Sequence, residues 1–341
     1  MAGAAKRWLA ALLHVACMAL VSAGMPAHAE VNELNVAQQY GVSFIPLMWM
    51  ERNKLIEKHA REAGLGELKV GWVKLAGPAA MNDALLSGSL HFASTGVPAL
   101  VTLWARTRGN MGVQGVTALA SQPFYLNTRN PNVKSLRDLT EADKIALPAV
   151  KVSSQAIMLQ MAAEKMFGPG SHFKLDSMTL TMAHPDAMAA LIGGSGGITG
   201  HFTVSPFHDL EIKTPGVRTL TTSREIFGGR VTALVITTTA KFRETNPKTY
   251  RVFLAALKEA VEAVNRNPRA SAQFYLDAAQ DRKSTVDEIY KSITDPDYAV
   301  TLVPERVFQF ADFMHRIGAV KEKPASWKDL FFPEIHDLPG S

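Results

Sequence analysis

The sequence predicts an α/β protein of two lobes joined by a two-strand hinge, with a helical C-terminal region packed on the first lobe. Three observations predict it. The chain has 341 residues, 47% hydrophobic and 20% charged, which is long for one small domain and apolar enough for two cores. After the first 29 residues, strand-length apolar runs alternate with helix-length amphipathic runs, the pattern of βαβ units and a mainly parallel sheet. The alternation restarts at Asn127 and turns wholly helical after Thr239. A helical tail without strands of its own is most simply packed back on the first lobe.

The first stretch reads as an export signal. Lys6 and Arg7 open it, an apolar run follows from Trp8 to Met25, and Pro26 leads into the small-x-small triplet Ala27-His28-Ala29. Cleavage is expected before Glu30, giving an exported protein. Removing 29 of 341 residues leaves 312, and the sole cysteine, Cys17, leaves with them. Cysteine catalysis, disulfides and thiolate metal sites are then excluded. Loss of Lys6 and Arg7 lowers the formal charge from +5 to +3. With no dense basic run or basic-aromatic stripe, nucleic acid is not an expected partner.

The elements follow in order. Residues 34–39 read as a strand, 46–63 as a helix, 69–76 as a strand and 78–86 as a helix with Met81, Ala84 and Leu85 on one face. Residues 90–93 and 113–120 read as strands around a helix at 98–108. Beyond the turn Asn130-Pro131-Asn132 come a short helix at 135–139, a strand at 144–149, a helix at 153–166, a strand at 174–181, a helix at 185–192 and strands at 198–204 and 217–222. The β-branched run 231–239 is another strand. Asn246-Pro247 reads as an N-cap and a first helical position, opening a helix whose apolar face is Tyr250, Phe253, Leu254, Leu257, Val261 and Val264. Further helices are expected at 270–279, 286–293 and 305–317. Strands around 121–127 and 231–239 would cross between lobes. Lobe 1 is then 30–122 with 231–341, and lobe 2 is 123–230.

Three joints of the first lobe share one form: strand, small-residue turn, then proline at a helix start. They are Gly41 to Pro46, Ala76-Gly77-Pro78 and Ser94-Thr95-Gly96-Val97-Pro98. Such joints lie at the carboxyl ends of strands, where α/β sheets bind ligands, and helix N-termini there favour anions. Each also reads as ordinary helix capping. The second lobe offers Lys151-Val152-Ser153-Ser154-Gln155, with two good N-caps and a side-chain donor. Gly193-Gly194-Ser195-Gly196-Gly197 follows a helix and lacks the Lys-Ser/Thr of a phosphate loop, so it reads as a helix stop. His201 sits in a strand, where a lone histidine is more often structural. No catalytic triad motif and no pair at metal-ligand spacing is present, so no catalytic residue, metal or cofactor is expected.

Several segments resemble the binding proteins of nitrate/sulfonate/taurine-type ABC transporters. Ala84-Leu85-Leu86-Ser87-Gly88-Ser89-Leu90-His91-Phe92 to Gly96 resembles their "ALxSGxxDFxxxG" region, with His91 where an acidic residue is usual. Val133 to Leu139 with Lys144-Ile145-Ala146 resembles their "IxSxxDLKGKKIA" segment, with Thr140-Glu141-Ala142-Asp143 replacing the glycine-bearing turn. His201 to Phe207 and the Asn246-Pro247 helix also look familial. The resemblance implies a type II periplasmic binding fold and capture of a small solute. It further implies lobe closure and delivery to an ABC permease in the inner membrane, driven by a separate ATPase. Carried over by position, the ligand region includes Tyr40, Ser43, Gly77, Pro78, Ser94, Thr95, Ser153, Ser154 and His201, with Gln122 and Phe124 near the hinge. Helix N-termini and the Ser153 and Ser154 hydroxyls, with Gln155 as a donor, would hold an anionic head group. Tyr40, Phe44 and Phe124 would cover an apolar body. A monomer is expected. Two other functions stay open: a sensor presenting its solute to a membrane receptor, and a relative of thiamine-pyrimidine synthases, which depend on a cysteine-rich motif missing after Cys17. Sulfonate, nitrate-like, pyrimidine and aromatic-acid solutes are all compatible with the residues.

Overall fold

The structure, a computed structural model, describes residues 30–341. The expected export signal and Cys17 lie outside the described residues. In chain order the elements are β1 (Glu33–Gln38), α1 (Ile45–Arg52), α2 (Leu55–Glu62), β2 (Lys69–Lys74), α3 (Pro78–Leu86), β3 (Phe92–Thr95), α4 (Val97–Thr107) and β4 (Val113–Ser121). Then come β5 (Tyr125–Thr128), β6 (Ile145–Leu147), α5 (Ser154–Phe167), β7 (Thr179–Thr181), α6 (His184–Gly193), β8 (Gly200–Thr203), α7 (Phe207–Glu211), β9 (Arg218–Thr222) and α8 (Ser223–Phe227). The rest comprises β10 (Thr232–Thr239), α9 (Ala240–Thr245), α10 (Pro247–Arg266), α11 (Pro268–Ala279), α12 (Val286–Ile293), β11 (Ala299–Val300) and α13 (Val307–Arg316).

Two sheets carry the two α/β lobes. The first has strand order β11-β4-β10-β3-β1-β2, and the second β7-β6-β8-β5-β9. The expectation of a mainly parallel sheet is corrected. Pairs β1–β2, β1–β3, β6–β7 and β6–β8 are parallel, while β10 runs antiparallel to β3 and β4, β11 to β4, and β5 to β8 and β9. The chain leaves the first sheet along β4 and comes back along β10 beside it, so these long neighbours oppose each other. The first crossing is not one continuous strand, because Gln122-Pro123-Phe124 interrupts it and proline cannot donate to a ladder. The return passes through Gly228–Val231, and β10 lies in the first sheet along its whole length.

Three further expectations change. The helix expected at 46–63 is two helices, broken at Lys54, whose φ of 49° is left-handed. The run Glu51-Arg52-Asn53-Lys54 is exposed and has no apolar side chain to bury there. The strand expected at 174–181 is mostly a 3-10 helix, His172–Met178, because Leu175 and Met178, three apart, share a buried face. The C-terminal region is not wholly helical, since β11 extends the first sheet.

The C-terminal helices pack on the first lobe through a stripe of helical period. Tyr250, Phe253, Leu257, Val261 and Val264 of α10 are buried. The Phe253 ring stacks on Phe92 of β3, with centroids 3.8 Å apart and planes 8° apart. Asn246 does not cap α10 as expected. Its Oδ1 accepts from the Val31 amide at 2.9 Å, and the Glu30 carboxylate takes over the helix end. It accepts from the amides of Lys248 at 2.8 Å and Thr249 at 2.9 Å, a negative charge at a positive helix terminus.

Ion pairs link the C-terminal region to the second lobe. Arg316 on α13 donates twice to Glu164 on α5, at 2.9 and 2.6 Å. Lys213 meets Glu288 at 2.6 Å, and Arg224 meets Asp297 at 2.7 Å. The Arg316 hydrogen bonds, with help from the Gly170 amide, hold the Glu164 carboxyl down at about 2. A depressed carboxylate stabilises the fold above the ordinary range near 4.5 and loses that contribution as pH falls toward 2. Arg316 is half exposed, so the pair contributes at most about 1 kcal/mol. Arg316→Ala is therefore expected to flatten the acid limb of melting temperature against pH between 6 and 3. An unchanged slope would show that the pair carries no stability.

Candidate functional site

The carboxyl ends of β1, β3, β6 and β8 face a cavity between the two sheets. It is lined by Gln39, Tyr40, Phe44, Pro78, Gly96, Gln122, Phe124, Pro148, Ser153, Ser154, Gln155, His184, Val204, Ala233 and Leu234. Its volume is small, about 40 Å³ on a scale where one water needs roughly 10–15 Å³.

Among the helices that start at its wall are three that open on a small residue. Gly77 precedes Pro78 of α3, Gly96 precedes Val97 of α4, and Ser153 precedes Ser154 of α5. First-turn N–H groups have no acceptor within their own helix and carry partial positive charge. Pro46 and Pro98 sit at second helical positions rather than first, where a missing N–H is equally tolerated. The two serines divide the work at α5. Ser153 Oγ accepts from the Ala156 amide at 3.2 Å and caps the helix. Ser154 Oγ is buried with no protein partner. A buried, unpaired hydroxyl costs free energy unless something fills it.

The lobes meet closely here, and two glycines permit it. A Cβ on Gly77 would lie 2.6 Å from the backbone oxygen of Pro148, and a Cβ on Gly96 would collide with Ser154 Oγ. Both contacts run from the first lobe to the second. Gly77 is extended at φ −172°, so it is the contact, not the backbone angle, that requires glycine.

Of the residues expected to bind ligand, Tyr40, Phe44, Pro78, Gln122, Phe124, Ser153, Ser154 and Gln155 line the cavity. Ser43, Gly77, Ser94, Thr95 and His201 do not. Ser43 Oγ donates to Gln122 Oε1 at 2.6 Å, which holds that amide and leaves its nitrogen to donate. Ser94 Oγ donates to the Ala37 carbonyl at 2.6 Å and fastens β3 to β1. Thr95 is buried behind the wall, its hydroxyl unpaired. Gly77 shapes the closure. His201 is wholly buried behind His184, its Nε2 2.8 Å from His184 Nδ1.

His184 was not expected in the wall. It stands immediately before Pro185 at the start of α6, the same proline-led joint that marks the other helix starts, so a signal was present. Gln39, Pro148, Val204, Ala233 and Leu234 carry no local signal. Burial lowers the pKa of both His184 and His201, the latter to about 3. Both rings are therefore neutral at ordinary pH. No charged side chain lines the cavity. The lining residue Tyr40 has the Lys74 ammonium 5.3 Å from its ring centre. Among the described residues no group of three or more His, Cys, Asp or Glu is placed to hold a metal ion, and no helix is long and apolar enough to cross a membrane.

A family model described as NMT1/THI5 like matches residues 62–271. None of the curated proteins matches the chain. Among solved structures, the alkanesulfonate-binding protein SsuA from Xanthomonas axonopodis pv. citri, bound to MOPS, superposes with a TM-score of 0.67 at 15% identity, over 86% of this chain and 96% of that one. The periplasmic aliphatic sulphonate binding protein SsuA from Escherichia coli gives 0.63 at 20% identity, over 89% and 92%. The periplasmic nitrate-binding protein NrtA from Synechocystis PCC 6803 gives 0.65 at 15% identity, over 88% and 84%. The shared fold is that of two-lobed periplasmic binding proteins.

Proposed function

The chain belongs to the NMT1/THI5-like family, and from that we propose that it captures a small anionic solute between its lobes, without chemistry upon it, as the exported binding component of an ABC importer. The observation that carries this reading is the convergence of three helix N-termini and the unpaired Ser154 hydroxyl on one uncharged cavity. Oriented N–H dipoles and neutral donors can hold an anion at a helix start without a counter-charge. The cavity admits a head group of a few heavy atoms in the closed form, and Tyr40, Phe44 and Phe124 border it for an attached apolar body. The binding residues are then Tyr40, Phe44, Pro78, Gln122, Ser154 and Gln155, with Ser43 positioning Gln122 and Ser153 capping α5. Lobe 1 comprises 30–122 and 231–341, and lobe 2 comprises 123–230. The family and the fold support a periplasmic monomer that hands its solute to a membrane permease.

A thermal-shift panel tests this reading. Sulfonates, nitrate and carboxylates are compared with neutral isosteres, since a ligand of the folded state raises the melting temperature with its concentration. A rise with one anionic class and none with its neutral isostere is expected. Shifts from neutral solutes alone would contradict it. Ser154→Ala is expected to weaken binding of the effective anion about ten- to hundredfold, the worth of one hydrogen bond to a charged group. Ser153→Ala should instead cost about 1 kcal/mol of stability as a lost cap. Calorimetric titration and urea unfolding separate the two effects. Equal affinity in the Ser154 variant would remove that hydroxyl from the site.

A further inference from the structure

A continuous buried chain of polar side chains runs from the cavity wall into the second lobe. Gln155 Nε2 lies 3.3 Å from His184 Nε2, and His184 Nδ1 lies 2.8 Å from His201 Nε2. His201 Nδ1 lies 2.5 Å from Glu211 Oε1, and Glu211 Oε2 accepts from Asn127 Nδ2 at 2.8 Å. His201 and Glu211 are wholly buried, and His184 reaches only the cavity. Each ring nitrogen of His184 and His201 has one partner, so a neutral imidazole here has no free choice of tautomer.

We propose that the His184–His201–Glu211 chain is a proton-set selector, in which one proton on Glu211 decides whether His184 Nε2 meets the solute as a donor or as an acceptor. This rests on the solute-binding reading and names how that site selects charge. With Glu211 ionised, His201 Nδ1–H donates to the carboxylate and His184 Nδ1–H donates to His201 Nε2. His184 Nε2 then carries a lone pair toward the cavity and accepts from the Gln155 amide. With Glu211 protonated, its O–H donates to His201 Nδ1, and His201 Nε2–H donates to His184 Nδ1. His184 Nε2–H then points at the cavity, where the turned Gln155 amide accepts from it until a bound anion takes that oxygen's place. The two states differ by one proton, and the two rings stay neutral in both. An anion needs the donor state, so its capture favours the protonated carboxyl.

The surroundings keep the switch near neutrality. Burial pushes the Glu211 carboxyl up to about 8, against the lowering effect of the Asn127 hydrogen bond and of His208. Beside the chain lies His208 on α7, stacked on Tyr125 of β5, with the charges of Asp209 on α7 and Lys291 on α12 acting on it, while Asp186 in the first turn of α6 is exposed. His208 stacks on Tyr125 at 3.6 Å, and burial holds its pKa below the usual range. Tyr125 is pushed up, beyond the range of the switch.

The chain also predicts its own readout without any solute. In nitrogen-correlated NMR of the histidine rings, His184 and His201 should carry hydrogen on Nε2 at pH 7 and on Nδ1 at pH 9.5, changing together. Glu211→Gln donates permanently from its amide to His201 Nδ1 and should fix both rings in the Nε2–H form. A pH-independent tautomer in the native protein, or a switch that persists in Glu211→Gln, overturns the proposal whatever the protein binds. The second readout uses nitrate and methanesulfonate, which stay monoanionic over this range. Affinity should be flat below pH 8 and weaken toward tenfold per pH unit above it. Calorimetry in buffers of different ionisation enthalpy should find about one proton taken up per anion at pH 9 and almost none at pH 6.5. Glu211→Gln should lose the dependence, binding each anion with one affinity from pH 6.5 to 9. Binding without this pH dependence overturns the selector alone. A tautomer switch with no binding of either anion at any pH overturns its role in anion capture and leaves the chain a buried titrating network.

Discussion

Gly77→Ala is expected to weaken solute binding about ten- to hundredfold while leaving the ligand-free melting temperature within about 2 °C of the native protein. The reason is where the new methyl goes. It would stand 2.6 Å from the Pro148 carbonyl oxygen, an atom of the opposite lobe's backbone that cannot step aside as a side-chain tip can. The backbone at Gly77 is extended, so alanine is not strained in its own lobe. The penalty falls only on the state in which the lobes touch, and a ligand that binds that state must offset it. Calorimetric titration beside thermal unfolding reads both quantities. Native affinity would show that binding does not need the Gly77–Pro148 contact. A large fall in melting temperature would place the cost inside the first lobe instead.

Phe92→Ala is expected to cost about 3–5 kcal/mol of unfolding free energy. Phe92 is wholly buried on β3, stacked on Phe253 and 5.4 Å edge-on from Phe242. It thus joins the central strand of the first sheet to the C-terminal helices, and its loss leaves a cavity that two helices must close. Phe173, 54% exposed, is the control, and its alanine variant should stay within about 0.5 kcal/mol of the native protein. Urea unfolding at pH 7 separates the two. A small effect at Phe92 would mean that the C-terminal helices are held to the sheet by other contacts.

The order of elements was legible because period 2 and period 3.6 patterns survive in most segments. The helix Pro78–Leu86 falls at its expected residues. Misread segments were those where a few apolar residues serve either period, such as Leu175 and Met178. Sheet direction was not legible. The antiparallel placing of β10 beside β4 follows from the chain's return from the second lobe, a long-range fact with no local mark. Within the site, joints at helix starts were legible because proline, glycine and serine serve known geometry there. Depth was not. Ser43 and His201 sit one layer behind the wall, and sequence shows which residues alternate along a strand without showing which face meets the cleft. Glu211 carried no signal, since its burial depends on β5, β8 and α7 coming together.

Closure of the two lobes on the solute is read by the radius of gyration from solution X-ray scattering. The comparison is between native protein alone and native protein saturated with the anion that raises its melting temperature. A smaller radius is expected with the anion, and a much weaker contraction in Gly77→Ala at the same anion concentration. Saturated native protein with an unchanged radius would contradict it.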